Sequence, residues 1–153
     1  MRIAVGCDHA GFALKATVVD ELRRLGDEVI DLGTNNADAV DYPDYAQAVA
    51  EAVMDGRADR GVLLCGSGVG ASVAANKVPG VRAAICHDTF SARQGVEDDD
   101  MNVLCLGARV IDAPLAVDVL RAWEGARFSN EERHVRRLGK VIALEERYQR
   151  RLP

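Results

Sequence analysis

The sequence carries no surplus of positive charge: 19 lysines and arginines stand against 24 acidic residues, for a net charge of −5. Duplex binding driven by phosphate neutralisation is thereby excluded as the main activity, although a local basic cluster can still hold one small phosphate. No apolar run approaches the ~18 residues that a membrane span requires, and no N-terminal signal pattern is present, so no membrane role is expected and the cytoplasm is the expected compartment. There is no Cys-x-x-Cys pair. The four cysteines, Cys7, Cys65, Cys86 and Cys105, each lie in or at the end of an aliphatic run. That placement fits small core hydrophobes in a reducing compartment rather than a disulfide framework. No Gly-Lys-Ser/Thr closes a Walker loop, and no EF-hand or zinc spacing occurs. Linkers, repeats and low-complexity segments are also missing. The 153 residues therefore read as a single domain, 1–153, which at this size buries about 70% of its extended surface.

What is present is an alternation of strand and helix patterns. An apolar run over 1–6 is followed by a helix with Leu14, Val18, Leu22 and Leu25 on one face, closed by Gly26. A second strand covers 28–32, and Pro43 starts a helix that buries Ala46, Val49, Ala50 and Val53 and stops at Gly56. Strands are expected over 61–64, 81–86 and 102–106, and helices from Val69 on, from Thr89 and from Asp112 to Trp123. Ser129 and Glu132 match a capping box that opens a long final helix to about Tyr148. Such alternation specifies a parallel sheet with helices on both faces.

The stretch 62–77 organises the chemistry. A buried strand runs into Cys65-Gly66-Ser67-Gly68-Val69-Gly70 and a small-residue helix, which places a thiol among backbone N–H donors at the carboxyl end of a strand. A sulfur there can serve as a base or nucleophile, and the Ser67 hydroxyl can assist it. The turns after the other strands are expected to converge on the same rim and to bring Asp8, His9, His87 and the acidic run 97–100 with them. Gly66 to Ala71 also fits a G-x-G-x-x-A dinucleotide fingerprint, with Asp88 near the ~20-residue offset of a ribose-binding acid, but it follows the third strand instead of the first. Arg133 and Arg137, one helical turn apart, can reach one phosphate or complete a neighbouring subunit's site.

Taken together, Gly6-Cys7-Asp8-His9-Ala10-Gly11, Asp41-Tyr42-Pro43, the 65–70 turn with Ala74-Ala75-Asn76-Lys77, Asn102-Val103-Leu104, Gly107-Ala108-Arg109-Val110 and Arg133-His134 with Arg137 resemble the family of ribose-5-phosphate isomerase B and the galactose-6-phosphate isomerase subunits. The resemblance covers essentially the whole chain. It implies a three-layer, Rossmann-like α/β fold with about five parallel strands and a long C-terminal helix. It also implies a cofactor-free and metal-free aldose–ketose isomerase of a phosphorylated sugar, working through a cis-enediolate. Cys65 would shuttle the proton between C1 and C2, Ser67 would assist, and the amides of Gly66, Gly68, Val69 and Gly70 would stabilise the oxyanion. His9, Arg109, Arg133 and Arg137 match phosphate-binding positions, the last two supplied by the partner in a homodimer or dimer of dimers. Asp8, Tyr42 and Asn76 match positions lining the sugar. Where many relatives carry a histidine credited with opening the furanose ring, this chain has Asp98, followed by Asp99. Either Asp98 takes over as acid/base, or the substrate is a tetrose phosphate that needs no ring opening. A hexose phosphate, a dinucleotide-binding domain and a noncatalytic sugar-phosphate sensor complete the readings the sequence allows.

Overall fold

The computed structural model describes residues 1–149. In chain order the elements are β1 (Arg2–Cys7), α1 (Phe12–Arg24), β2 (Glu28–Asp31), α2 (Tyr42–Met54), β3 (Arg60–Cys65), α3 (Val69–Ala75), β4 (Ala83–Ile85), α4 (Thr89–Asp99), β5 (Val103–Gly107), α5 (Ala113–Gly125) and α6 (Glu132–Gln149). All strand pairs are parallel, in the order β2-β1-β3-β5-β4. Successive side chains of a strand point to opposite faces, and the sequence obeys that period. Ile3, Val5, Val62, Leu64, Leu104 and Leu106 join α1, α4 and α5 in one core, while Ala4, Leu63, Cys65, Val103 and Cys105 join α2 and α3 in the other. Covering both faces is what makes β1, β3 and β5 near-continuous apolar runs.

The connection from β1 leads to β2 on one side and that from β3 leads to β4 on the other, through helices on opposite faces. A crevice therefore opens outside the carboxyl ends of β1 and β3. The Asp8 N–H donates to the Leu64 carbonyl across it (3.2 Å), which sets Asp8 and His9 beside the turn that begins at Cys65.

Two expectations fail here. The acidic run 97–100 does not join this rim: α4 runs on to Asp99 and carries the run to the amino-terminal edge of the sheet. Acidic residues at a helix C-terminus oppose its dipole, and Arg82 offsets them, donating Nε to the Asp100 carbonyl and Nη2 to its carboxylate, both at 2.7 Å. Asp100 itself ends the helix in the left-handed region at φ 51. Nor do Ser129 and Glu132 form a capping box. Asn130, at φ 56, turns the chain so that Ser129 Oγ accepts the Glu131 N–H (3.2 Å) and pairs with His134 Nδ1 at 2.6 Å.

Glu21 fastens α1 to α5. It is 8% exposed and takes hydrogen bonds from Arg24 Nη2 and Arg121 Nε, both at 2.6 Å. Arg24 first and Arg121 second hold its pKa down from 4.5 to about 2. A carboxylate depressed by folding contributes stability above its unfolded pKa and loses it as pH falls through the folded one. The thermal unfolding midpoint should therefore drop as pH falls from about 4.5 towards 2, and Glu21→Gln should flatten that slope. A variant that kept the wild-type slope would show that Glu21 is not its source.

Candidate active site

The crevice at the ends of β1 and β3 is a cleft of about 360 Å³ lined by Asp8, His9, Ala10, Tyr42, Cys65, Gly66, Ser67, Gly70, Arg109 and Val110. Cys65 is the last residue of β3 and is 5% exposed. Its Sγ accepts the N–H of Gly68 at 3.1 Å, a donor that complements negative charge on the sulfur once its proton has gone. Gly68 supplies that N–H from φ +84, a conformation that L side chains rarely adopt. The other three thiols lie away from the cleft. Burial pushes Cys7 and Cys86 up to about 11, and Cys105 higher still, so they behave as inert core groups.

Ser67 is exposed, and its Oγ accepts the Val69 N–H at 3.3 Å. The amides of Gly68 and Val69, expected to face an oxyanion, are thus engaged by the sulfur and the hydroxyl of the same turn. The ring of Tyr42 lies over Gly70, where a Cβ would come within 2.8 Å of Cε2 and Cζ. Beneath that ring Gly70 has no room for a side chain.

Asp8 is buried, and its Oδ1 accepts the Gly11 N–H at 2.9 Å, which shapes the turn into α1. His9 Nδ1 lies 3.2 Å from both the N–H and the carbonyl of Val40, so its partner depends on the tautomer; the tautomer that accepts from the N–H carries its proton on Nε2 and can offer it to an anion in the cleft. Arg109 donates its backbone N–H to the Gly66 carbonyl at 3.0 Å, and its guanidinium lies beside Gly66. It forms no ion pair among the described residues. One sulfur, one hydroxyl, an imidazole N–H and an unpaired guanidinium around a small cleft suit proton transfer on a compact anionic substrate.

Five expected site residues lie elsewhere in the chain. Asn76 gives Nδ2 to the Ser72 and Ala83 carbonyls and accepts the Ala83 N–H, joining α3 to β4. With Asp99 it lines a separate cavity of about 400 Å³ against Leu138 and Val141 of α6. Asp98 accepts from Gln94 Nε2 at 2.7 Å and lies 3.4 Å from His134 Nε2. Arg133 pairs with Glu131 at 2.9 Å, and Arg137 is exposed one turn further along α6. His87, unassigned from sequence, stands next to the cleft: its Nε2 accepts the Gly107 N–H at 3.0 Å, continuing the β4–β5 ladder by side chain, and burial lowers its pKa against the opposing pull of Asp88. Ala10 and Val110 line the cleft as well; both lie in motifs of the family resemblance, but as small or apolar residues on turns they drew no site role from the sequence. Among the described residues no group of three or more His, Cys, Asp or Glu is disposed to hold a metal ion, and no helix is long and apolar enough to cross a membrane.

Residues 3–141 match the family described as Ribose/Galactose Isomerase. The chain is 46% identical to ribose-5-phosphate isomerase B of Escherichia coli over 95% of its own length and 97% of that protein's. It is 43% identical to a D-erythrulose-4-phosphate isomerase of Pectobacterium atrosepticum, covering 84% of this chain and 85% of that one. Among solved structures, ribose-5-phosphate isomerase B of Clostridium thermocellum superposes with a TM-score of 0.94 at 47% identity, covering 97% of this chain and 99% of that one.

Proposed function

Because the chain belongs to the ribose/galactose isomerase family, we propose that it interconverts an aldose phosphate and its ketose, with ribose 5-phosphate and ribulose 5-phosphate as the first pair. The observation that carries the reading is the Cys65 sulfur inside the cleft with the Gly68 N–H aimed at it. The thiolate removes the C2 proton of the open-chain aldose, and the C2 electron pair moves into the C1–C2 bond as the C1 carbonyl oxygen takes the charge. The cis-enediolate is then protonated at C1 by the same sulfur while the Ser67 hydroxyl moves the proton between the two oxygens. Amides at Gly66 and Gly70 stabilise the oxyanion, Asp8 and Tyr42 line the sugar, and His9 and Arg109 meet the phosphate.

Arg133 and Arg137 cannot complete the cleft of their own chain, so a second copy supplies them. The exposed apolar side chains of α6, including Val135, Val141, Ile142 and Leu144, fit burial in such a homodimer or a dimer of dimers. Mixing Cys65→Ala with Arg137→Ala protein should restore activity, to about one quarter of wild type for random pairing into dimers. No recovery, with subunit exchange verified, would contradict a shared site.

A second substrate has a specific observation in its favour. Asp98, the sequence's candidate for ring opening, is held by Gln94 and lies beside His134. A tetrose 4-phosphate cannot close a furanose ring through its phosphorylated hydroxyl and needs no such group. Comparing kcat/KM for ribose 5-phosphate and D-erythrose 4-phosphate in wild type and Asp98→Asn tests both readings. Ring opening by Asp98 requires the substitution to slow the pentose alone; a tetrose enzyme turns over the tetrose faster, and the substitution leaves that preference in place. No turnover of either sugar would overturn the proposal.

A further inference from the structure

His134 is 4% exposed and is the buried residue of an otherwise solvent-facing α6. Both of its ring nitrogens are committed. Nδ1 pairs with Ser129 Oγ at 2.6 Å, while Nε2 receives the Arg133 Nε–H at 3.1 Å and lies 3.4 Å from the Asp98 carboxylate. One nitrogen cannot both accept from a guanidinium and donate to a carboxylate. A neutral ring with its proton on Nδ1 donates to Ser129 and accepts from Arg133; a protonated ring donates to Ser129 and Asp98 and repels Arg133. The ring therefore has two states, and they differ in where they leave one guanidinium.

We infer that His134 is a positioning residue: seated by Ser129 and Asp98, its ring accepts the Nε edge of Arg133 while Glu131 holds Nη2, which fixes the guanidinium where a substrate phosphate takes the place of the Glu131 carboxylate. This rests on the reading of Arg133 as a phosphate ligand. It gives Asp98 a task that does not touch substrate, since its carboxylate lies 3.4 Å from Nε2 and helps to seat the ring. The charged groups around the ring are few. Asp98 comes from α4; Glu97 of that helix reaches the segment only through its carbonyl, to the Ser129 N–H, and pairs its carboxylate with Arg93. Glu131 and Arg133 come from the ring's own segment and pair with each other.

The test is calorimetric titration of the intact protein with inorganic phosphate across pH, beside turnover of ribose 5-phosphate. His134→Ala should weaken phosphate binding roughly tenfold, the size of one hydrogen bond to a charged donor. His134→Gln keeps a neutral acceptor, so it should bind like wild type at high pH and escape the extra loss that wild type shows as pH falls. Asp98→Asn, on a partly exposed side chain that leaves the buried ring in place, should weaken phosphate binding less than His134→Ala does. Phosphate's own titration is common to all four proteins and cancels in the ratios. Equal affinities for wild type and His134→Ala, or parallel pH profiles for wild type and His134→Gln, would overturn the inference. Intact phosphate binding without any sugar turnover would instead overturn the isomerase reading alone.

Discussion

Cys65→Ala is expected to lower kcat for the sugar phosphate by about 10²–10⁴-fold, the usual contribution of a positioned proton carrier. The substitution removes one sulfur from the end of β3 at the mouth of a cleft, so the fold should persist with a thermal midpoint close to wild type. Cys105→Ala is the matching control. Cys105 lies one strand over, fully buried in the same core, and burial keeps its thiol protonated. Its loss leaves a cavity and should cost stability while leaving proton transfer in place. If the two variants were equally active, or if the Cys65 variant retained wild-type kcat, the chemistry would lie on another group.

The second large effect is on architecture. A Cβ added at Gly11 would be driven into the carbonyl of Leu64, the residue immediately before Cys65. That contact is backbone, so nothing flexible can move aside. Gly11 also gives its N–H to Asp8, whose own N–H goes to the same Leu64 carbonyl, so the turn that carries His9 is fastened to β3 at this point. Gly11→Ala should cost roughly 3 kcal/mol by overpacking, a fall of about 6–12 °C in midpoint at this chain length. It should also reduce kcat/KM, because Asp8 and His9 move away from the sulfur. Gly139→Ala, in the interior of α6 with nothing within 4 Å of the added methyl, should be neutral or stabilising by about 0.5–1 kcal/mol. Scanning calorimetry of the two variants separates close packing from a general effect of losing glycine. A Gly11→Ala protein as stable as wild type would contradict the packing of that turn.

The contrast between Gly11 and the acidic run shows what the sequence can and cannot carry. Strands β1, β3 and β5 are legible because burial on both faces leaves an unbroken apolar run, and the crevice at Asp8, His9 and Cys65 follows from where such strands end in a parallel sheet. The run 97–100 is misread because its place between two strand patterns looks like a turn at the rim, whereas α4 continues through it to Asp99. What extends α4 through these acids is Arg82, 18 residues from Asp100, a partner that local pattern does not reveal. Ser129 is misread for the same reason: the capping-box spacing is present, but the buried ring of His134 takes its hydroxyl. Tyr42 and Arg109 entered through family resemblance, since no periodicity marks a ring over Gly70 or a guanidinium beside Gly66. His134 stands in the Arg133-His134 motif without a role of its own, because its meaning depends on Asp98, which reaches it from another helix.

The central claim is that the sulfur of Cys65 moves a carbon-bound proton, and proton NMR of ribose 5-phosphate in deuterated water tests it most directly. The wild-type protein should form the ketose with deuterium entering the exchanged carbon, and folded Cys65→Ala protein should show neither event above background. Exchange that persisted in the variant at the wild-type rate would contradict the account.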